Sequence, residues 1–130
     1  MTEFMENLPI SCPPAAATEA DIDGVYRVVT SKSPTIEDFT SHSALNVKRP
    51  EAVDPCRWAA CSFYRSRSKA IEIAKLPKFR DSNPHLALLG LTLGSGKLLE
   101  NKRTTHIDFW MYSTFNPIAA IIETEALNGT

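Results

Sequence analysis

The sequence predicts an α+β fold, a mostly antiparallel sheet or split barrel with one or two helices packed on it. Three observations carry that expectation. Short runs of β-forming residues are separated by Pro, Gly and Asn turns. One segment, 66–75, has a helical apolar stripe. One segment, 106–112, alternates apolar and polar residues with a period of two. With 130 residues the chain has room for a single domain, read as 23–130 behind an extended or flexible arm, 1–22.

The arm reads as such because residues 8–18 mix prolines with small side chains and show no period. Residues 25–29, Val-Tyr-Arg-Val-Val, form the first expected strand. A short helix should follow from Ser33 to Phe39, with Ser33 as N-cap, Pro34 at the first helical position, and Glu37 and Asp38 at the positive helix end. A loop over 46–55 carries Pro50 and Pro55. Residues 58–64 read as the second strand. Residues 66–75 make the best helix, with Ala70, Ile71, Ile73 and Ala74 on one stripe and Pro77 as its stop.

A turn at 81–84 leads to residues 85–93, a nearly continuous apolar run that suits a central strand. Gly94-Ser95-Gly96 is expected to be a tight hairpin link to strand 97–100. Strand 106–112 follows. After Asn116-Pro117, residues 118–122 read as a last strand, with a short helix as the alternative.

Composition excludes several classes. No run approaches the ~20 apolar residues of a membrane span. The basic and acidic residues number 14 and 15, a net charge of -1, which argues against a general nucleic-acid coat. Charge is uneven along the chain. Residues 1–54 are net acidic and 55–130 net basic, so the acidic half is expected to fold back on the basic half. The acidic N-terminal residues carry no export signal, which gives a cytoplasmic location as the default. The odd count of cysteines (Cys12, Cys56, Cys61) fits buried or idle thiols in a reducing compartment, and their spacing is not that of a zinc site.

Chemistry is sought on the strand faces. In 106–112, Ile107, Phe109 and Met111 form a core stripe. His106, Asp108, Trp110 and Tyr112 share the other face, which either lines a ligand pocket or is simply solvated or covered by the arm. In 58–64, Trp58, Ala60, Ser62 and Tyr64 point together, leaving room for a ligand or a packed helix. Ser62 has no nucleophile elbow and no assigned base. Arg27, in mid-strand, needs either an acid such as Asp108 or Glu123, or a phosphate or carboxylate ligand. Arg65, Arg67, Lys69, Lys75, Lys78 and Arg80 cluster around the best helix. They suit a solvated face, an acidic partner or nucleic acid. His42 and His85 are isolated and give no metal set.

Tyr26-Arg27, Ser62 and Glu123-Thr124-Glu125 resemble the Arg, Ser and Glu-x-Glu series of ADP-ribosyltransferases, although Cys61-Ser62-Phe63 stands in place of that family's Ser-Thr-Ser pattern. The resemblance implies NAD as cofactor, Arg27 on its phosphates, Ser62 ordering the site, and a final Glu stabilising the ribosyl cation. In a variant of that family a His and aromatics serve instead, a part open to His106 and Tyr112.

Three functions are therefore carried forward. The first is a small binding or regulatory domain, without a cofactor, acting through a protein partner or self-association. The second is an NAD-using transferase with Arg27, Ser62, His106 and Glu123 in one cleft. The third is a nucleic-acid binder using the 65–80 cluster.

Overall fold

The structure is a computed structural model and describes residues 3–127. Its centre is one open, six-stranded antiparallel sheet built from β1 (Ile22–Val29), β2 (Cys61–Tyr64), β3 (His85–Leu91), β4 (Gly96–Glu100), β5 (His106–Met111) and β6 (Ile121–Ala126), in the order β4-β5-β2-β1-β3-β6. Three short helices accompany it: α1 (Pro55–Trp58), α2 (Arg67–Ala74) and α3 (Pro77–Arg80). A 3-10 turn, Ile36–Phe39, lies between β1 and α1. No helix among the described residues is long and apolar enough to cross a membrane.

The sheet is strongly curled. Residues 92–95 alone connect β3 to β4, yet three strands lie between them in the hydrogen-bonding order. In a flat sheet that separation is four strand spacings, about 19 Å, whereas the connection fully extended reaches about 17 Å. It is not extended, because Ser95 N–H donates to the Thr92 carbonyl in a turn. The two ends of the sheet must therefore curve towards one another. The segment before β1 laces them together: Thr18 bridges Leu98 on β4, and Ile22 pairs with Leu91 on β3. The expected tight hairpin at Gly94-Ser95-Gly96 is thus corrected. The turn residues are real, but the strands they join pair elsewhere, β3 with β1 and β6, and β4 with β5.

The concave side holds the main core, with Val25, Val29, Phe39, Phe63, Leu89, Ile107 and Phe109 all almost fully buried. Period-two alternation on β5 puts Ile107, Phe109 and Met111 there, as the sequence predicts. The arm lies in contact with the domain. Met5 N–H donates to the Met111 carbonyl, Phe4 bridges Tyr112, and Ser113 N–H donates to the Glu3 carbonyl. A second cluster of Ala17, Ala60 and Trp110, flanked by Phe4, Leu8 and Leu99, forms beneath it.

Four local expectations are revised. Residues 58–64 are not one strand: Trp58 ends α1, which Pro55 opens at a position that needs no N–H, and β2 begins only at Cys61. The first helix is a 3-10 turn capped from Thr35, not from Ser33. Pro77 does stop α2 but also opens α3. The last strand starts at Ile121, because Asn116 accepts from the N–H groups of Ile118 and Ala119 and holds 117–120 in a turn.

Cysteine pairing is also corrected. Cys12 and Cys56 form a disulfide, with Cα atoms 5.4 Å apart and a sequence separation of 44, while Cys61 is a buried free thiol. Idle thiols were expected because the arm's path across α1 is not written in the local spacing.

Candidate ligand-binding cleft

β1 and β2 share a single register pair, Tyr26↔Tyr64, whereas β1 and β3 pair along most of their length. Towards Ser62 the link between the two strands is made by a side chain. Arg27 Nη1 donates to the Ser62 carbonyl at 2.8 Å, and Arg27 Nε donates to the Asp38 carbonyl at 2.6 Å. Its guanidinium lies 5.9 Å from the centre of the Phe39 ring. α2 covers this part of the sheet through Ala70 and Ala74, and the two small side chains let it approach closely.

A cleft of about 500 Å³ opens here, within the range of small-ligand sites. Its floor and walls include Arg27, Ser62 and Tyr64 from the sheet, Thr30, Thr35, Asp38, Ser41 and His42 from the segment after β1, and Ile73, Leu76, Lys78 and Phe79 from α2 and α3. The Asp38 carboxylate is engaged away from Arg27, accepting from Thr30 N–H, the Thr30 hydroxyl and Thr35 N–H at 2.9–3.0 Å. Ser41 is held by Glu6 of the arm, whose carboxylate accepts from Ser41 N–H at 3.0 Å and from its hydroxyl at 2.5 Å. The His42 and Trp58 rings meet at a tilt of 34°, with their centres 4.5 Å apart. Burial, and then the positive charges of Lys78 and Arg27, push the His42 imidazole below its ordinary pKa. The cleft lining therefore carries the cations Arg27 and Lys78 together with the acids Glu37 and Asp38, and an apolar rim of Leu45, Ile73, Leu76 and Phe79.

Behind Ser62 lies a chain of polar groups. Ser62 Oγ is 3.0 Å from His106 Nε2. His106 Nδ1 is 3.8 Å from Asp108 Oδ1, and Asp108 Oδ2 accepts from Arg57 Nε of α1 at 3.0 Å. The Tyr64 ring meets His106 edge-on at 5.2 Å. Burial lowers the His106 pKa; Asp108 opposes that shift and Arg57 adds to it. Burial, then the Asp108 charge, raises that of Tyr64, so both groups are neutral near pH 7.

The residues singled out from the sequence divide clearly. Arg27, Ser62 and Tyr64 line the cleft, and His106 and Asp108 stand directly behind Ser62. Arg27 meets two backbone carbonyls rather than Asp108 or Glu123. Trp110 and Tyr112 are buried and committed: Trp110 Nε1 donates to the Cys56 carbonyl at 3.0 Å and the Tyr112 hydroxyl to Glu19 at 3.1 Å. The outer face of β5 is thus covered by α1 and the arm. Trp58 ends α1, where its ring meets His42 at a tilt and its Nε1 donates to the Val47 carbonyl. Glu123 sits on edge strand β6, opposite Leu88, and Glu125 is ion-paired with Arg67 at 2.7 Å, so neither joins the cleft. His42 was set aside as isolated. Only the fold of the 41–45 turn brings it to Arg27 and Lys78.

The basic cluster is largely paired. Arg65 meets Glu100, Arg67 meets Glu125, Lys69 meets Glu72 and Arg80 meets Asp81. All four acids lie in the C-terminal half, so the expected fold-back of acidic half onto basic half is not how these charges are met. Acids of the arm instead bind neutral donors, such as Asp21 accepting from Leu93 N–H and Glu19 from Gly94 N–H. Among the described residues no set of three or more His, Cys, Asp or Glu is placed to hold a metal ion.

Comparison of this chain with protein-family models, with curated proteins and with solved structures finds no match to any of them.

Proposed function

We propose that this chain is a small binding domain whose cleft takes a ligand carrying an anionic group on an apolar body. The observation that carries the reading is Arg27. It is half-buried, its charge has no carboxylate partner among the described residues, and its bonds go to two backbone carbonyls. A partly desolvated cation so placed gains most from an anion, and its planar fork suits a carboxylate or phosphate. Lys78 and the Ser and Thr hydroxyls of the walls add donors, and the apolar rim suits a hydrocarbon or aromatic body.

The test is calorimetric titration of the full chain with octanoate, with octanamide and with NAD. Octanoate is expected to bind, octanamide to bind at least tenfold more weakly, and Arg27→Met to remove the difference. Equal binding of acid and amide, or no effect of Arg27→Met, rejects the reading. NAD serves the second reading, the transferase expected from the resemblance, which the contact of Arg27 with Ser62 and of Ser62 with His106 favours. That reading needs NAD to bind in an Arg27-dependent way.

A protein partner remains the natural alternative source of the ligand group, because Ile36, Leu45 and Leu76 at or beside the rim are 51%, 41% and 43% exposed. Light scattering of the free chain tests self-association directly. As to compartment, the Cys12–Cys56 disulfide supports an oxidising setting over the cytoplasmic one expected from the sequence.

A further inference from the structure

We propose that Ser62 is a nucleophile, with His106 as its general base and Asp108 as the group that positions the base, and that the cleft cleaves esters by acyl transfer. The inference rests on the binding reading for its substrate class, since hydrolysis of an ester with an apolar acyl group releases the kind of anion the cleft is argued to hold.

The geometry follows from strand register. Ser62 on β2 stands opposite Asp108 on β5, and Tyr64 stands opposite His106. Directly paired residues of antiparallel strands share a face, so Ser62 meets His106 on the diagonal and His106 meets Asp108 along its own strand. Ser62 Oγ and His106 Nε2 are at hydrogen-bond distance, 3.0 Å. The Asp108 carboxylate, 3.8 Å from Nδ1, favours the tautomer with its proton on that nitrogen. Nε2 then carries a lone pair, and the Ser62 hydroxyl donates to it. Arg57 fixes the other carboxylate oxygen, and Asp108 is only 6% exposed, so the base has a rigid neighbour.

Two conditions for a working nucleophile are met together. Burial holds the imidazole neutral at pH 7, ready to accept a proton. The groups facing it are Asp108 from its own strand, Tyr64 from β2 and, through Asp108, Arg57 from α1. Ser62 opens onto a cleft large enough for a substrate. Arg27 Nη1 holds the Ser62 backbone carbonyl, but Tyr26, not Arg27, pairs with Tyr64, so the Arg27 side chain starts from the face opposite the Ser62 hydroxyl.

The reaction balances without a cofactor. Ser62 Oγ attacks the ester carbonyl carbon as its proton passes to Nε2. The C–O bond to the alcohol breaks and the alcohol leaves with that proton. Water then attacks the acyl-Ser62 carbonyl, gives its proton to Nε2, and the acid departs as Ser62 Oγ is reprotonated. The sum is ester plus water giving acid plus alcohol.

The experiment uses the full oxidised chain and two probes, p-nitrophenyl butyrate and diethyl p-nitrophenyl phosphate, read by p-nitrophenolate release and by mass spectrometry of the intact and digested protein. The expected result is one covalent adduct mapped to Ser62. Adduct formation should be absent in Ser62→Ala and slowed about 100-fold or more in His106→Asn. Its rate should be level at neutral pH and fall once His106 is protonated, below pH 6.5. A merely structural Ser–His bond gives no adduct. Absence of an adduct, an adduct elsewhere, or unchanged release by Ser62→Ala overturns the proposal. Adduct mapping on the unaltered chain decides the matter even where a variant fails to fold. Octanoate binding without adduct formation removes this inference alone, whereas an adduct without octanoate binding removes the anion-binding reading alone.

Discussion

Trp110 Nε1 donates to the Cys56 carbonyl across 3.0 Å, and Cys56 is the residue through which the arm is covalently joined to α1. The indole is 1% exposed and lies with Ala17 and Ala60, so one side chain fastens β5, α1 and the arm together. The disulfide limits the unfolded chain by joining positions 44 apart in sequence, worth about 2–4 kcal/mol in the chain-entropy account. Replacing both Cys12 and Cys56 by Ser should lower stability by about that amount and shift the emission of Trp110 to longer wavelength. Urea titration with fluorescence detection measures both, and a double variant as stable as the parent contradicts the account.

Cys61 should behave as an inert thiol. It is 4% exposed on the concave side of β2, and burial raises its pKa to about 11. The thiolate is the reactive form, so an aromatic disulfide reagent at pH 8 should find no thiol in the native chain and one after unfolding. Rapid reaction of the folded chain counts against this placement.

Stability should fall on mild acidification. The His42 and His106 pKa values are both lowered in the folded chain, chiefly by burial. As pH drops below the unfolded value of about 6.5, the unfolded chain takes up protons first and is favoured. The loss begins near pH 6.5 and continues down to the lowered folded values. The urea midpoint should therefore be lower at pH 5.5 than at pH 7.5, and His106→Asn should flatten the difference. A midpoint that rises on acidification contradicts the burial of these rings.

Gly96 is required by close approach. A Cβ there would lie 2.3 Å from the Trp110 carbonyl oxygen and 2.9 Å from the Phe109 ring. Gly96→Ala must push β4 from β5, at a cost of about 1–3 kcal/mol or more. Gly94 is different: it has open space around it but a φ of +89°, so Gly94→Ala meets backbone strain alone, about 1 kcal/mol. Equal stability of the two variants, by thermal melting, contradicts the tight β4–β5 seam.

The sequence reveals what is local. The alternation of 106–112, the striped helix over 66–75 and the apolar run from His85 are set by spacing and by neighbours a few residues away, and the structure keeps all three. What covers the second face of β5 is remote. Residues 4–19 and α1 supply it, so from the sequence a face carrying His, Asp, Trp and Tyr could be a pocket, a solvated surface or a surface under the arm, and the structure, with three of the four buried, takes the last. Trp58 was misplaced although Asp54-Pro55 offered a helix-start signal that outweighs a short apolar run. Gly94-Ser95-Gly96 shows the limit of turn chemistry, which specifies a reversal but not the strand that pairs next. Ser62 and His106 could be brought together only once the β2–β5 register was known.

The pairing of Met5 with Met111 spans nearly the whole chain. During synthesis the segment around Met5 leaves the ribosome about a hundred residues ahead of Met111 and cannot be seated until β5 has followed it. Until then the far end of β5 and the groove above Trp110 lack their cover. Topologies dominated by such distant contacts fold slowly, in milliseconds to seconds. The nascent chain therefore passes through a period in which it is vulnerable to aggregation, and to pairing of Cys12 or Cys56 with the wrong thiol.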